Sequence, residues 1–220
     1  MLLLAVETAT EQGSVALWEE GQVVGEISQA LPGAYLRHLL PAVETLLKEA
    51  GRSLSQVRAL AVSQGPGNFT GLRIGIATVK TLAFALQVPV VPVSTLEVIA
   101  ARLPFRPEPV GVLVDAKRGE VYLGLFRCEA ATPVALGEPE RLPVGHLPSR
   151  LRPPLVLTGP GLSVHADFLK PLLPPGLVLA PPELRSPQAA TLARLAQERL
   201  DRGAGVSPAT LLPTYLRPAL

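Results

Sequence analysis

A short apolar strand, a glycine-rich break and a long apolar helix follow one another within residues 61–86 of this chain, with the sequence AVSQGPGNFTGLRIGIATVKTLAFAL. The next apolar run, VPVVPVS at residues 88–94, predicts a second strand that leads into the helix-like sequence TLEVIAARL. A strand, a helix and a strand in this order form a parallel pair with a right-handed crossover. We therefore expect an α/β fold.

The glycine-rich loop of this stretch has two interpretations. A helix N-terminus after such a loop offers free N–H groups and a positive dipole end to a phosphate. However, the loop lacks the Gly-Lys-Ser/Thr end of a P-loop, and its later glycines do not have the spacing of a dinucleotide fingerprint. We favour a structural loop that turns the chain and allows close helix packing. Its residues are Gly65, Gly67, Asn68, Thr70 and Gly71.

The first two predicted strands are separated by a polar turn with the sequence ETATEQGS, at residues 7–14. This turn is similar to the first hairpin of the actin-like ATPases and sugar kinases, in which an acidic residue and hydroxyl groups surround the nucleotide phosphates. That resemblance makes Glu7, Thr8, Thr10 and Ser14 candidate nucleotide-binding residues. The alternative is that the threonine hydroxyls only satisfy N–H groups of the turn.

A second hairpin is predicted at residues 115–126, with the sequence DAKRGEVYLGLF. Asp115, together with Lys117 and Arg118, would hold a phosphate from this side. A charged turn between two apolar strands is also typical of an ordinary hairpin, which we slightly favour. Asp115 stays a candidate nucleotide-binding residue.

Composition excludes several classes of protein. Hydrophobic residues make up 48% and charged residues 17% of the 220 residues, which is typical of a globular chain. The apolar runs are interrupted before the roughly 20 residues that a membrane span needs, so we expect a soluble, cytoplasmic protein with no membrane contact. The net charge of +2 and the 4% of aromatic residues indicate neither a basic surface nor a stacking surface for nucleic acid.

Residues that form disulfides and metal sites are few. Cys128 is the single cysteine and excludes an intramolecular disulfide, and His38, His146 and His165 do not form a ligand cluster. We therefore expect no metal and no cofactor. Arg outnumbers Lys 16 to 4, Asn68 is the single asparagine and there are 24 prolines, which indicates a thermophilic source or a GC-rich genome.

The chain is predicted to have two domains. The proline-rich sequence LPFRPEP at residues 103–109 separates two blocks that each open on strands. We place an N-terminal subdomain at residues 1–105 and a smaller C-terminal subdomain at residues 106–220. The second block ends in a predicted helix from Pro187 to Arg202, with Ser186 as its expected N-cap.

Several segments together resemble one family. The chain resembles the TsaB family of the tRNA threonylcarbamoyladenosine biosynthesis system, glycoprotease-like proteins that are non-catalytic homologues of TsaD. The resemblance is dense from residue 1 to about residue 126, and it implies two actin-like subdomains of the sugar kinase, heat-shock and actin superfamily, each a mixed sheet with helices. The segments, in chain order, are ETAT, LRHLLPAVETLL, SQGPGNFTGLRIG, PVVPVSTLEVIA, DAKRGEVYLG and LPTYLRP.

The same resemblance implies that a metal site is missing. The catalytic homologue TsaD carries a His-x-x-x-His pair after the equivalent strand, and this pair binds the metal needed for transfer. Here Thr95 and Ile99 stand at the two ligand positions, with Glu97 between them. Neither side chain replaces an imidazole, so the resemblance implies a chain that is not an enzyme.

The resemblance also implies a role. The chain would be the dimerisation and activating subunit of TsaD, in a complex that transfers threonylcarbamoyl to N6 of adenosine 37 in tRNAs reading codons that start with A. The ATPase TsaE and the tRNA would be reached only through the complex, and ATP or ADP would bind only at that level. The alternative function is that of an ATP-binding actin-like ATPase or phosphotransferase.

Two apolar helices, at residues 34–51 and 69–86, are the candidate partner contacts. For most of their apolar residues, a place in the core is an equally good interpretation. An exposed pair of such helices also allows a homodimer of the isolated chain. The candidate interface residues are Leu36, His38, Leu39, Val43, Leu46, Leu72, Ile76, Val79 and Lys80.

Overall fold

The computed structural model describes residues 1–30, 35–214 and 216, without the side chains of residues 35 and 36. The chain divides into two compact units. Unit 1 contains Met1–Thr95 and Gln188–Thr214, and unit 2 contains Leu96–Pro187 and Leu216. Each unit is built on its own sheet.

The described part of the chain opens on three consecutive strands before its first helix. The strands are β1 (Leu2–Glu7), β2 (Gln12–Glu19), β3 (Gln22–Ala30), β4 (Val57–Ser63), β5 (Val90–Val93), β6 (Val110–Lys117), β7 (Glu120–Arg127), β8 (Val134–Ala135), β9 (Glu140–Pro143), β10 (Leu155–Thr158) and β11 (Leu177–Leu179). The α-helices are α1 (Tyr35–Glu49), α2 (Phe69–Leu86), α3 (Thr95–Ala100), α4 (Gly161–Val164), α5 (Ala166–Leu169) and α6 (Ala189–Leu200).

The sheet of unit 1 has the strand order β3-β2-β1-β4-β5. Strand β1 pairs antiparallel with β2 and parallel with β4, and β4 pairs parallel with β5. All six residues of β1 are buried, as expected for a central strand with a continuous apolar sequence. The predicted strands at the start of the chain and the parallel pair that flanks α2 are confirmed.

The sheet of unit 2 has the strand order β11-β10-β6-β7-β8, and β9 also pairs with β7. Strands β6 and β7 form the predicted hairpin, with Asp115 opposite Val121. Strand β10 lies parallel to both β6 and β11. Parallel and antiparallel pairs therefore occur in both sheets, as predicted for mixed sheets.

The two units differ from the predicted division at residue 105 in two ways. The first continuous segment of unit 1 ends at Thr95, and α6 returns to unit 1 rather than joining the C-terminal half. In unit 1, the guanidinium of Arg199 on α6 donates to the carbonyl of Pro92 at 2.6 Å. A proline-rich segment marks a break in composition, but it does not show which sheet a later amphipathic helix covers.

Helix α6 also begins differently from the expectation of a Ser186 cap. Gln188 occupies the N-cap position and makes no side-chain capping bond. The hydroxyl of Ser14 on β2 instead accepts the backbone N–H of Ala189 at 2.9 Å. The cap is distant in sequence, so a local pattern does not find it.

Helices α1 and α2 contribute to the core of unit 1. Their buried side chains pack with those of β1, β2 and β4 in one cluster that also includes Leu211. Among the described residues, α2 is the one helix that is long and apolar enough to cross a membrane. A third of it is buried in unit 1. Its Lys80 ammonium donates to the carbonyl of Leu211 at 3.1 Å, which fits a helix packed on a protein core.

Candidate functional site

The carboxyl group of Glu7 lies at the end of β1 and has no solvent-exposed surface. Its Oε1 accepts the N–H of Ala9 at 2.6 Å, and its Oε2 accepts the hydroxyl of Ser63, the last residue of β4. Burial raises the pKa of Glu7 from 4.5 to about 7, although the hydrogen bonds from Ser63 and Ala9 lower it in part. Glu7 is thus a buried carboxyl that changes charge near neutral pH.

The turn after Glu7 packs against the beginning of α2. The hydroxyl of Thr8 donates to the carbonyl of Gly71 at 2.8 Å, and the carbonyl of Ala9 accepts the N–H of Asn68 at 2.7 Å. A β-carbon at Gly67 would collide with the Ala9 carbonyl, and one at Gly75 would collide with the Thr8 hydroxyl. These contacts engage the Thr8 hydroxyl and the Asn68 N–H within the protein.

The glycine-rich loop makes the contacts expected of a structural loop. Asn68 is the N-cap of α2, and its side-chain oxygen accepts the N–H of Gly71 at 2.9 Å. Gly65 has a φ of +111°, and its carbonyl accepts the N–H of Thr95 at 2.9 Å. Thr70 is exposed on the first turn of α2. The contacts of the loop favour the packing interpretation over the phosphate-binding one.

The other two hydroxyls of the first hairpin are also engaged. Thr10 donates to the carbonyl of Gln12 at 3.2 Å. Ser14 accepts the N–H of Ala189, and the carboxylate of Glu26 accepts the next N–H, that of Ala190, at 3.1 Å. The positive end of α6 is therefore satisfied by two side chains of unit 1.

A narrow cleft lies beside Glu7 in unit 1. It lies between the first strands and α1, and His38 is the one histidine in its lining. Glu7, Thr8 and Ser14 also line it, but each is at least nine-tenths buried. The remaining lining residues are Gly13, Val15, Ile27, Gln29, Leu39 and Ala42.

Asp115 lies in unit 2, whereas the other four candidate nucleotide-binding residues lie in unit 1. Its carboxylate accepts the Lys117 ammonium at 2.9 Å and lies 3.1 Å from the His165 ring nitrogen Nε2. Burial acts to raise the pKa of Asp115, but the hydrogen bonds from Lys117 and His165 hold it below its usual value of 3.8. Sequence reasoning missed His165, because the pairing joins residues 50 positions apart.

Most of the candidate interface residues are buried in unit 1, which corrects the expectation that they form a surface. The structure does not describe the side chain of Leu36. His38 is exposed, and Lys80 is half-buried. Helical spacing does not distinguish a core stripe from a partner stripe, and here the apolar stripe faces the protein's own sheet. The buried residues are Leu39, Val43, Leu46, Leu72, Ile76 and Val79.

The opposite side of α2 carries apolar side chains in solvent. Phe69 and Phe84 are 48% and 72% exposed, and Ala77 between them is also exposed. The guanidinium carbon of Arg73 lies 3.7 Å from the centroid of the Phe69 ring. On α1, Leu40 is 48% exposed. We call Phe69, Arg73, Ala77 and Phe84 the α2 stripe. The helix itself is predicted from the sequence, and the spacing of these residues by four and seven positions is the sequence signal that places them on one side of it.

The resemblance to TsaD identifies two positions at which TsaD carries histidine. Core residues occupy both positions in this chain. Thr95 begins α3 and Ile99 follows one turn later, and both side chains are fully buried. Among the residues that the structure describes, no group of three or more His, Cys, Asp or Glu side chains could hold a metal ion.

Comparison with known proteins gives one consistent family. The model of the family "TsaD: tRNA N6-adenosine threonylcarbamoyltransferase" matches residues 28–140. The chain is 34% identical over 229 aligned residues to the tRNA threonylcarbamoyladenosine biosynthesis protein TsaB of Escherichia coli, an alignment that covers 99% of this chain and 95% of the relative.

Solved structures agree with the fold. YeaZ from Pseudomonas aeruginosa superposes with a TM-score of 0.84 at 37% identity, covering 98% of this chain and 99% of that one. The activator of 2-hydroxyisocaproyl-CoA dehydratase from Clostridium difficile, solved with ADPNP, has a TM-score of 0.52 at 10% identity, covering 92% and 97%. This second likeness shows the fold alone: the two units have the actin-like fold.

Proposed function

The chain belongs to the TsaB family, and from that premise we propose that it is a non-catalytic subunit that binds and activates TsaD in tRNA threonylcarbamoyladenosine biosynthesis. The observation that carries the proposal is the full-length relation to TsaB, combined with a TsaD family match that covers half of the chain. The TsaD-containing complex transfers threonylcarbamoyl to N6 of adenosine 37 in tRNAs that read codons starting with A. This chain supplies a related fold that pairs with the catalytic one.

The absence of catalysis in this chain is supported by what stands at the positions of the metal ligands. Thr95 and Ile99 have side chains that do not ligate a transition metal, and both are enclosed in the core. The chain therefore contributes to the reaction through binding rather than through chemistry.

The TsaD contact is proposed for the exposed sides of α1 and α2. The α2 stripe presents two phenylalanine rings and one arginine, which are residue types that are enriched at protein interfaces. Leu40 and His38 extend the exposed surface on α1. The buried residues of the two helices act from behind, by fixing both helices on the sheet.

Co-elution in gel filtration with TsaD of the same organism tests this proposal. Phe84→Glu places a charge in the stripe, so we expect loss of the complex, while the far-ultraviolet circular dichroism of the variant alone stays that of the folded wild type. Phe105→Glu is the matched control, because Phe105 is also 72% exposed but lies in unit 2. Equal losses with both variants, or none with Phe84→Glu, would contradict the proposed contact.

The functional test is reconstitution of the tRNA modification with TsaD, TsaE and tRNA, in the presence and absence of this chain. We expect modification only when the chain is present, and Phe84→Glu should reduce it together with complex formation. TsaD that is fully active without the chain would refute the proposed function.

The remaining assignments follow from the same proposal. TsaE and tRNA reach this chain through the complex, and ATP or ADP binds at the level of the complex rather than to the chain alone. In the absence of TsaD, the exposed α2 stripe allows two copies of the chain to pair. Because tRNA modification takes place where tRNA is used, we place the protein in the cytoplasm.

A further inference from the structure

Residues 207–214 belong to unit 1 and contact α2, and we call them the strap. Just before the strap, Val206 exchanges two backbone hydrogen bonds with Val90 of β5, at 2.8 and 3.0 Å. The strap opens on a short 3₁₀ turn, Pro208–Thr210, in which the hydroxyl of Ser207 accepts the N–H of Ala209 at 3.3 Å. The first end of the strap is therefore fixed to the sheet of unit 1.

The other end of the strap is bonded to the loop that precedes α2. The N–H of Thr214 donates to the carbonyl of Gln64 at 2.7 Å, and the side-chain amide of Gln64 donates to the Thr214 hydroxyl at 2.5 Å. A β-carbon at Gly65 would collide with the Thr214 carbonyl. The glycine-rich loop therefore also makes room for the strap, which is held at both ends.

The middle of the strap reaches α2 next to the α2 stripe. Leu211 is buried in the core cluster that α1 and α2 share with the sheet, and its carbonyl accepts the Lys80 ammonium at 3.1 Å. Lys80 lies three positions after Ala77 and four before Phe84, and residues at these spacings are neighbours on the surface of a helix. The strap therefore passes α2 at the level of Ala77 and Phe84.

Leu212 is the residue of the strap that projects furthest into solvent. Its side chain is 69% exposed, although Leu211 before it is buried and Thr214 beyond it is hydrogen-bonded. Pro213 follows directly, and a proline fixes its own φ and confines the preceding residue to extended conformations. The backbone of Leu212 is thus ordered in advance, which reduces the entropy that a binding partner has to overcome.

The position of Leu212 beside the α2 stripe distinguishes it from other exposed apolar residues. Single exposed apolar side chains are ordinary on a protein surface, whereas contiguous ones mark interaction sites. Phe84 is 72% exposed on α2 and Leu212 is 69% exposed on the adjoining strap. The apolar surface therefore extends from the helix onto the strap, and a partner that covers Phe84 would also reach Leu212.

We propose that the strap is part of the surface that binds TsaD: Leu212 contacts TsaD, and Lys80 positions Leu212 through the carbonyl of Leu211. The inference rests on the proposed binding of TsaD to the α2 stripe and extends that contact to a segment 131 positions away from Lys80. Lys80 itself does not touch TsaD. It is a positioning residue, because its ammonium is directed to the strap.

The first experiment measures the Kd for TsaD of the same organism with the wild type, Leu212→Ala and Leu136→Ala. Truncation of a contact residue at the edge of the stripe should weaken binding about tenfold. Leu136→Ala is the matched control, because Leu136 is also exposed, at 49%, but lies in unit 2, and it should bind as the wild type does. Equal Kd values for the two variants would overturn the inference.

Lys80→Met tests positioning in a way that a purely structural role would not pass. Methionine keeps an unbranched apolar stem but removes the ammonium that holds the Leu211 carbonyl. In the wild-type background we expect binding to weaken about fivefold, and in the Leu212→Ala background we expect no further loss. Equal losses in both backgrounds would mean that Lys80 does not act through Leu212 and would overturn the inference.

A third measurement uses the wild type alone, so it does not depend on how any variant folds. Amide hydrogen exchange with and without TsaD should show slower exchange in the strap as well as in α2 when TsaD is bound. Slower exchange in α2 with no change in residues 207–214 would overturn the inference.

The outcomes for the inference and for the proposed function are distinguishable. Binding of TsaD that is lost with Phe84→Glu but unaffected by Leu212→Ala would overturn the inference and leave the proposed function intact. The same holds if Leu212→Ala weakens only the association of two copies of this chain. No binding of TsaD to the wild type would refute the proposed function itself.

Discussion

The hydroxyl oxygen of Thr8 lies so close to Gly75 that a β-carbon at this position would collide with it, so the two residues fit together only because Gly75 has no side chain. Gly75 lies in the middle of α2, where a glycine costs roughly 0.5–1 kcal/mol relative to alanine. The close approach of the turn to the helix explains why a glycine occupies this position.

Gly75→Ala should therefore destabilise unit 1 by about 2 kcal/mol, although alanine is the better helix former. Urea denaturation followed by circular dichroism measures the change. Thr8→Ala removes the colliding hydroxyl, so the double variant should be more stable than Gly75→Ala alone. A stabilising Gly75→Ala substitution would contradict this packing.

The free energy of unfolding should depend on pH through Glu7. Its folded-state pKa of about 7 is higher than its ordinary value of 4.5, so between these values the folded protein holds more protons than the unfolded chain. Stability from this group is complete below about pH 4.5 and is lost as the pH rises through about 7, by a total of about 3 kcal/mol. Denaturation curves of the wild type and Glu7→Gln at pH 5, 6, 7 and 8 should diverge, with the wild type losing stability; parallel curves would count against the raised pKa.

Ser14→Ala should destabilise unit 1 by about 1 kcal/mol, because it removes the cap of α6. Ser28→Ala is the matched control: Ser28 pairs with Ser14 across β2 and β3 but is exposed, so its removal should change stability by less than about 0.5 kcal/mol. Thermal unfolding of both variants makes the comparison. Equal effects would mean that the cap has no special role.

Titration calorimetry of the isolated chain with ATP and Mg²⁺ should show no binding. The Thr8 hydroxyl donates to Gly71, Ser14 is buried and accepts the N–H of Ala189, and Asp115 is paired with Lys117 and His165. Saturable heat with a Kd below about 1 mM would instead favour the actin-like ATPase or phosphotransferase as the function. Thr8→Ala and Asp115→Asn would then show which hairpin holds the nucleotide.

Elements with a strong local pattern could be predicted from the sequence. Examples are the apolar run of β1, the glycine-rich break before α2 and the β6–β7 hairpin. In each, the residue types of a short segment are enough to predict a strand, a helix start or a turn. The family resemblance rested on the same segments. What these patterns leave open is which side of an apolar helix faces the sheet when several sides are apolar.

The side chains around Glu7 illustrate what a sequence does not contain. Glu7 is recognisable as an acidic residue at the end of a strand, but its hydrogen bond with Ser63 joins positions 56 residues apart. Its raised pKa depends on complete burial, which is a property of the packed unit. The cap of α6 by Ser14 likewise joins residues 175 positions apart.

By itself, the sequence determined the class of fold, the order of the strands and helices up to about residue 126, and the family, because all three depend on local patterns and residue identity. The tertiary structure decided that Val79 and its neighbours are core while Phe84 is exposed, that α6 belongs to unit 1, and that the hydroxyls of the first hairpin are engaged within the protein. The physical reason is that burial and hydrogen bonding are relations between distant residues, which exist only once the sheets have formed and the helices have packed on them.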